Sequence, residues 1–203
     1  DKIQKSLEDY LETKRAAFPR FYFLSNDELL EILAQTRNVQ AVQPHLRKCF
    51  EQLVKLDFGS EPKSIDIYAM FSSGGERVPL GKNLKARGQV EDWLTSVMKD
   101  MRESLRKAMK FGNSDYGTKI RSDFIKDHPG QIVATVALIQ WTDITEQKLI
   151  AEDPYTAMKE WYEENLVQLS QMTAMVRMPL SKLERKVVVA LVTTDVHARD
   201  IIE

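Results

Sequence analysis

Cysteine is almost absent from this sequence: Cys49 is the single one among 203 residues. A lone cysteine cannot form an internal disulfide, and this usage is typical of a reducing compartment. Long apolar runs are also missing, because the longest, at 132–139, is far shorter than the roughly 20 residues that a helix needs to span a bilayer. No signal peptide is visible at the N-terminus. We therefore predict a chain that has no membrane partner, and we expect it to be a piece of a longer protein.

The sequence also lacks an excess of charge of either sign. It has 29 Lys and Arg residues against 30 Asp and Glu residues, a formal net charge of −1. A dedicated nucleic-acid surface usually appears as a basic excess, so we predict no nucleic-acid partner. The aromatic run at 18–23 could stack bases, but only Arg15 and Arg20 supply positive charge near it. Packing of these rings in a core is the stronger interpretation.

A complete phosphate loop is absent. Gly81-Lys82-Asn83 has the form of the end of such a loop, but the glycine required five residues before Gly81 is Glu76. Position 83 should carry a hydroxyl group for magnesium and carries an amide instead. A carboxylate at position 76 would also repel phosphates. We predict a hairpin turn and its exit loop here, and no cofactor in this chain.

Metal and nucleophile sites are equally incomplete. His45 and Cys49 are four residues apart on a predicted helix, a spacing that can place two ligands on one metal, but zinc needs three or four. The other histidines, His128 and His197, lie in unrelated segments. Acidic pairs at predicted helix starts are explained by capping and by the helix dipole. We predict that Cys49 is a small buried residue and that the segment carries no catalytic site and no metal.

What the sequence does contain is helical periodicity. Apolar residues recur at threes and fours through most of the chain, which predicts about eight helices joined by short connections. One of them is expected to end at Gly112-Asn113 in the manner of a C-cap, and a break at Thr142-Asp143 is left open. The predicted helical segments are 3–15, 25–33, 45–54, 89–112, 116–126, 131–150, 153–178 and 181–201, with a turn or short helical piece at 38–44.

Strand-forming sequence is confined to one short region. Residues 64–71 alternate apolar and polar side chains, residues 72–75 supply a turn, and residues 76–80 form a return strand, which predicts one β-hairpin. Pro79 removes a hydrogen-bond donor and so places the return strand at an edge. The predicted fold class is mainly α, an elongated multi-helix bundle with one small β-hairpin.

The most distinctive stretch is FPRFYFLSNDELLEIL, at 18–33. Pro19 ends the preceding helix, because the residue before a proline is held extended and the ring blocks the previous turn. The three aromatic residues at 21–23 are then expected to form a short extended apolar patch. Leu24 and Leu29 are placed as a hydrophobic staple around the next helix start. The stretch therefore predicts a fixed corner between two helices.

Two predicted helix starts carry capping boxes. Ser25 is followed three residues later by Glu28, and Ser181 is followed three residues later by Glu184. In each pair the serine hydroxyl accepts a hydrogen bond from a backbone N–H, and the glutamate returns to the backbone N–H of the serine. Both boxes favour a fixed starting direction for the helix that follows.

The run at 18–33, followed by HLRKCF at 45–50, resembles the linker region of dynein heavy chains. The SND form at 25–27 and the sequence QPH at 43–45 are similar to the axonemal branch of that family. Three further segments continue the likeness in the family's order, at 73–78, 88–94 and 192–200. On these segments the chain is identified as the C-terminal half of the linker region, which precedes the first AAA+ module.

The resemblance implies a bent helical rod that lies across a ring of AAA+ modules. In that family, nucleotide turnover in the ring makes the linker swing, and the swing delivers the power stroke along a microtubule. The phosphate loop, with its ATP and magnesium, belongs to the downstream ring of the parent, which accounts for its absence here. The implied location is the axoneme of a cilium or flagellum, in the cytoplasm and its cytoskeleton. The implied partners are the AAA+ ring of the same heavy chain and, indirectly, the microtubule.

The chain is thus expected to be a lever rather than an enzyme. We expect a helical corner subdomain at 1–58, a β-hairpin insertion at 59–88, and a long-helix bundle leading into the first AAA+ module at 89–203. The residues expected to stiffen the lever are Phe18, Pro19, Arg20, Phe21, Tyr22, Phe23, Ser25, Glu28, Leu29, Trp93, Ser181 and Glu184. The alternative, from another class of protein, is a passive helical scaffold or adaptor that binds partner helices along an exposed stripe.

Overall fold

The computed structural model describes residues 2–34, 38–61, 63–81 and 84–203. Eight α-helices and one three-stranded antiparallel sheet make up most of that part of the chain, so the mainly α fold class is confirmed. The helices are α1 (Lys2–Ala17), α2 (Asn26–Ala34), α3 (Leu46–Cys49), α4 (Val90–Asp115), α5 (Arg121–Asp127), α6 (Gly130–Leu149), α7 (Pro154–Val176) and α8 (Lys182–Ile202). The strands are β1 (Leu53–Asp57), β2 (Ala69–Ser72) and β3 (Arg77–Pro79), and two 3₁₀ helices span Pro19–Phe23 and Val39–His45. Within these described ranges, no helix combines the length and the apolar character that crossing a membrane requires.

The chain forms two compact units, one of residues up to Leu105 and one of residues 106–203. Helix α4 contributes residues to both units. The division expected from the sequence, into a helical corner subdomain, a hairpin insertion and a long-helix bundle with boundaries at residues 58 and 88, stays a prediction.

The first unit is built around one apolar core, to which α1, the first 3₁₀ helix, α2, α3, the sheet and the first part of α4 all contribute. Trp93 and Leu94 supply the α4 side of this core and are 4% and 0% exposed. In α1, the apolar stripe enters the core only at Leu11, whereas Ile3 and Leu7 stay 78% and 40% exposed. The early part of α1 therefore adds little apolar burial to this unit.

The predicted hairpin is present as β2 and β3, with Met70 paired to Val78. Pro79 lies in β3, the outer strand of the order β1-β2-β3, as its missing donor predicted. The Tyr68 carbonyl still accepts from the Leu80 N–H at 2.9 Å, but residues 64–67 leave the hairpin, so its first arm is shorter than expected. Instead the Ile67 N–H donates to the Leu84 carbonyl at 2.8 Å, so this stretch pairs with the chain that follows the hairpin.

The helix predicted over 45–54 is wrong in its second half. Helix α3 covers only Leu46–Cys49, and Leu53–Asp57 forms strand β1, which pairs with β2 and turns the hairpin into a three-stranded sheet. The Gln43 side chain supports this strand: its amide donates to the Leu56 carbonyl at 2.8 Å and accepts from the Leu56 N–H at 3.0 Å. A short apolar run fits a helical or a strand period equally well, and here pairing with a distant strand decides between them.

The second unit consists of α6, α7 and α8 packed against one another, with α5 against α6 and α8. The three long helices predicted from periodicity are confirmed within a few residues. Helix α6 runs without interruption through Thr142-Asp143, so the possible helix break at these two residues does not occur. Asp153 caps α7, as its side chain accepts a hydrogen bond from the Thr156 N–H at 3.2 Å.

Helix α4 does not end at Gly112-Asn113 as predicted but continues to Asp115. Gly112 is instead a site of close approach, because a Cβ atom placed there would lie 2.7 Å from the Cγ2 atom of Ile132. The predicted helix at 116–126 is also shorter than expected, since α5 begins only at Arg121. A turn precedes it, with Gly117 at a φ of 82°.

We expect Gly112→Ala to destabilise the chain, although alanine is the better helix former by about 1 kcal/mol. Ile132 is fully buried and β-branched, so its methyl group cannot move aside without disturbing the core. A net loss of about 1–2 kcal/mol in the free energy of unfolding follows, measured by urea denaturation. Ser114→Ala, at an exposed position of the same helix, is the control. A Gly112→Ala chain more stable than the wild type by about 1 kcal/mol, the full gain in helix propensity, would show that the close approach has no energetic consequence.

Candidate functional site

The candidate site is the corner between α1 and α2, which we call the aromatic corner and define as residues 18–25. Helix α1 ends at Ala17, and Phe18 leaves it with an extended backbone, at a φ of −134° and a ψ of 92°. Pro19 then opens a 3₁₀ helix, in which the Phe21 N–H donates to the Phe18 carbonyl at 2.9 Å. The predicted extended patch at 21–23 is therefore wrong. The fixed φ of proline suits the first position of a helical turn, and the turn continues from it.

The 3₁₀ geometry separates the aromatic residues into two groups. With three residues per turn, positions 18, 21 and 24 fall on one side. Phe18 and Phe21 are 1% and 0% exposed, whereas Tyr22 and Phe23 are 56% and 69% exposed. The expectation that all four rings pack together is thus half right: two rings enter the core and two face solvent.

The buried rings form an edge-to-face stack. The ring centroids of Phe18 and Phe21 are 4.9 Å apart at an interplanar angle of 72°, and Phe50 lies 6.3 Å from Phe18. Arg20 closes this cluster from outside, because its guanidinium carbon is 4.7 Å from the centroid of the Phe50 ring. The same side chain donates from Nη1 to the Cys49 carbonyl at 2.8 Å. The aromatic corner is thereby joined to the end of α3.

Charged side chains of α1 connect the corner to its neighbours. Arg15 Nη2 donates to the Leu24 carbonyl at 3.2 Å and to Asn26 Oδ1 at 2.8 Å, at the start of α2. Lys14 forms an ion pair with Glu91 in α4, and this hydrogen bond raises the pKa of the Lys14 ammonium group. Glu91 is only 7% exposed, so the pair is held largely away from water.

The first predicted capping box is confirmed at the start of α2. The Ser25 N–H donates to Glu28 Oε2 at 3.0 Å, and the Glu28 N–H donates to Ser25 Oγ at 3.3 Å. Lys48 pairs with the same carboxylate. The Lys48 ion pair first, and the Ser25 hydrogen bonds after it, lower the pKa of Glu28 to about 2. Leu29, the second half of the predicted staple, is fully buried in the core that also contains Leu24.

The second capping box is confirmed at the start of α8. The Ser181 N–H donates to Glu184 Oε2 at 2.7 Å, and the Glu184 N–H donates to Ser181 Oγ at 3.2 Å. These hydrogen bonds lower the pKa of the Glu184 carboxyl group. The box satisfies backbone donors that would otherwise be unpaired at the helix start.

At the incomplete phosphate loop, Lys82 and Asn83 lie outside the described residues. The Gly81 N–H, which belongs to the described part, donates to Asp100 Oδ2 at 2.5 Å. An added Cβ atom at Gly81 would meet the same carboxylate. The backbone donor at this position therefore serves an internal acceptor whose charge repels phosphate.

The His45 and Cys49 pair is placed in the core of the first unit. His45 Nε2 lies 3.5 Å from Glu31 Oε2, and Cys49 is 2% exposed, as predicted. Burial raises the pKa of the Cys49 thiol to about 11, so the group stays protonated and unreactive at neutral pH. Among the residues with described positions, no group of three or more His, Cys, Asp and Glu side chains could hold a metal ion.

A closed ring of hydrogen bonds joins α6 and α7, and it is not among the features predicted above. Trp141 Nε1 donates to Asn165 Oδ1 at 3.1 Å, and Asn165 Nδ2 donates to the Trp161 carbonyl at 2.7 Å. Trp161 Nε1 donates in turn to Thr145 Oγ1 at 2.9 Å, and that hydroxyl donates to the Trp141 carbonyl at 2.7 Å. The available signal was the repeated spacing, a Trp followed four residues later by a small polar residue on both helices.

Comparison with known proteins links the chain to one family. The family model described as dynein heavy chain, N-terminal region 2, matches residues 1–112. The whole chain is similar to dynein axonemal heavy chain 6 of Homo sapiens, with 50% identity over 221 residues. It is also similar over its whole length to dynein axonemal heavy chain 12 of Mus musculus, at 44% identity over 205 residues, and to dynein axonemal heavy chain 1 of Rattus norvegicus, at 41% over 202 residues. The chain covers 5%, 6% and 4% of these three relatives, so it spans about a twentieth of their length.

The buried and the exposed rings of the aromatic corner should differ in how much each contributes to the free energy of unfolding. Phe21→Ala removes a fully buried ring from an edge-to-face stack, and we expect a loss of about 3–5 kcal/mol in the free energy of unfolding. Phe23→Ala, two residues away and 69% exposed, should cost less than about 1 kcal/mol. Urea denaturation followed by circular dichroism measures both. Equal losses would contradict the sorting of the rings by the 3₁₀ turn.

The low pKa of Glu28 predicts a pH-dependent contribution to stability. A folded-state pKa below the unfolded value means that the ionised carboxylate stabilises the fold at neutral pH, and that this stabilisation disappears as the pH falls through the folded value. We expect the difference in melting temperature between the wild type and Glu28→Gln to be constant at neutral pH. This difference should shrink as the pH falls from 4.5, the ordinary pKa of a glutamate, toward about 2.

Asp115, whose pKa is also about 2, is present in both chains and cancels from the difference in melting temperature. A difference that does not change over this pH range would show that Glu28 is not held ionised by Lys48 and Ser25.

Proposed function

Because the chain belongs to the dynein heavy chain family, in its N-terminal region 2, we propose that it is a segment of the mechanical linker of an axonemal motor. The proposed parent is an ATP-driven microtubule motor. In it, the linker converts nucleotide-dependent conformational changes of the AAA+ ring into a power stroke. The relatives indicate the axoneme of a cilium or flagellum, and thus the cytoskeleton, as the location of the chain. The proposed partners are the AAA+ ring of the same heavy chain and, through the complete motor, the microtubule.

The observation that carries the proposal is the way in which the aromatic corner is held. A lever transmits force only if its corners keep their angle when they are loaded. At this corner the chain direction is set by a buried ring stack, by Arg20 on the end of α3, and by Arg15 on the start of α2. Burying each ring contributes about 2–3 kcal/mol, and the edge-to-face contact adds about 1 kcal/mol. A corner built in this way resists bending more than a flexible loop does.

The chemistry of the motor is proposed to reside outside this segment. We place ATP and magnesium in the AAA+ ring of the parent and assign no cofactor and no catalytic residue to the chain. The carboxylate of Asp100 on the Gly81 N–H supports this assignment, because it occupies a backbone donor that a phosphate group would need.

The second candidate function is a passive scaffold that binds partner helices. One observation favours it: Ile3, Leu7 and Tyr10 are 78%, 40% and 46% exposed along one side of α1. These spacings of four and three residues form a stripe on a helix. A scaffold of this kind would need the stripe but would not need a rigid aromatic corner.

In a complete axonemal heavy chain, we expect Phe21→Leu to lower the velocity of microtubule gliding without a matching fall in the rate of ATP hydrolysis. The smaller side chain loosens the buried aromatic stack and so weakens the corner. The AAA+ ring still hydrolyses ATP, but less of its movement reaches the microtubule. Gliding assays and ATPase assays on the same preparation measure the two rates. Leucine is used because it fills more of the site than alanine and so favours a folded motor.

Phe23→Ala in the same heavy chain is the matched control, since it alters an exposed ring of the same motif. Normal gliding by a folded Phe21→Leu motor would contradict the lever assignment of this corner. If a Leu7→Ser motor instead lost a binding partner, while Phe21→Leu was normal in both assays, the scaffold function would be favoured.

A further inference from the structure

One arginine joins three helices of the second unit. Arg121, the first residue of α5, forms a two-pronged ion pair with Asp195 of α8, with Nη1–Oδ2 and Nη2–Oδ1 distances of 2.7 and 2.8 Å. Nη1 also lies 3.4 Å from Oε1 of Gln168 in α7. The side chains of Arg121 and Asp195 are 10% and 15% exposed, so water screens the pair little. This geometry is the strongest form of arginine–carboxylate contact.

The position of Arg121 is unfavourable in two respects. A cation in the first turn of a helix opposes the helix dipole. Its Nε atom is buried and has no hydrogen-bond partner within the part of the chain that the structure describes. A buried ion pair also adds little to stability by itself, because well-packed apolar residues of similar size often do as well or better. The pair therefore needs an explanation other than stability.

The apolar face of α8 offers that explanation. Val188, Leu191 and Ala198 are buried along it, and Asp195 lies between them in the same stripe. A row of small and medium apolar side chains packs almost equally well after a shift of one helical turn, which is about 5.4 Å. Apolar packing alone therefore fixes the axial position of α8 weakly.

Arg121 makes such a shift unfavourable in both directions. A shift of one turn brings residue 191 or residue 199 to the height of Asp195. Leu191 would leave the guanidinium group buried without a counter-ion, and Arg199 would set two cations against each other. A buried charge that loses its partner is strongly disfavoured. Asp195 is thus the residue of this stripe that supplies a counter-ion to Arg121, and it does so at only one axial position of α8.

We propose that the Arg121–Asp195 ion pair fixes the axial register of α8 against α5. The connection between α7 and α8 is short, so it fixes where α8 starts relative to the end of α7. Helix α5 lies more than fifty residues earlier in the chain, so no short connection joins it directly to α8. The pair acts as a positioning contact, in the way that a single buried polar residue fixes the register of a coiled coil. The inference concerns this chain alone and does not depend on the lever function.

The test measures a distance between α5 and α8 in the 203-residue chain. Nitroxide labels are placed at Lys126→Cys and Thr193→Cys, both exposed positions, in a Cys49→Ala background. Pulsed electron paramagnetic resonance should give one narrow distance distribution for the otherwise wild-type chain. Arg121→Leu/Asp195→Leu should broaden it or add a second population displaced by about one helical pitch, 5.4 Å. The melting temperature of this double variant should change little, since both charges are removed together.

Three further variants complete the test. Asp195→Leu alone should lower the melting temperature by about 5–10 °C, because it leaves Arg121 buried and unpaired. The exchanged pair Arg121→Asp/Asp195→Arg should restore the single narrow distribution. Lys148→Leu/Glu160→Leu removes a looser, more exposed ion pair with an N–O distance of 3.9 Å and should leave the distribution unchanged. One unchanged narrow distribution in Arg121→Leu/Asp195→Leu would overturn the proposal, even if the single variant failed to fold.

Discussion

The turn that Pro19 opens is the constraint on which the aromatic corner depends. Proline fixes φ near −65°, and the three-residue repeat that follows decides which rings are buried. The aromatic sequence by itself would suit a surface patch as well as a core. Once the turn is set, Phe18 and Phe21 meet edge to face and reach Phe50. The change of direction between α1 and α2 is therefore a property of buried side chains and does not rest on a loop.

Features with local causes could be predicted from the sequence. Both capping boxes, the end of α1 before Pro19 and the three long helices of the second unit depend on residues within one or two turns of each other. The sequence indicates the candidate site for the same reason, because a proline, a cap and a staple are all local signals. These local signals do not show which aromatic rings enter the core. That choice depends on the three-residue period of the 3₁₀ turn.

The errors at strand β1 and at Gly112 share one physical cause, which is a partner distant in sequence. Strand β1 exists because β2 pairs with it, although its apolar residues also fit the end of a helix. The sequence pattern predicts a helix end at Gly112, whereas this residue allows the close approach of Ile132 in α6. The Lys14–Glu91 and Arg121–Asp195 ion pairs join residues more than seventy positions apart. No pattern within a window of the sequence identifies such pairs.

These distant polar contacts differ from the apolar core in how they respond to displacement. Dispersion and burial change gradually when two helices slide, because new neighbours replace the old ones. A hydrogen bond or an ion pair between buried groups weakens steeply with misalignment, and the groups that it leaves behind are disfavoured. The chain places directional contacts of this kind at the aromatic corner, between α6 and α7, and between α5 and α8. In a segment proposed to carry force, the apolar core would supply cohesion, and these few polar contacts would supply the resistance to sliding.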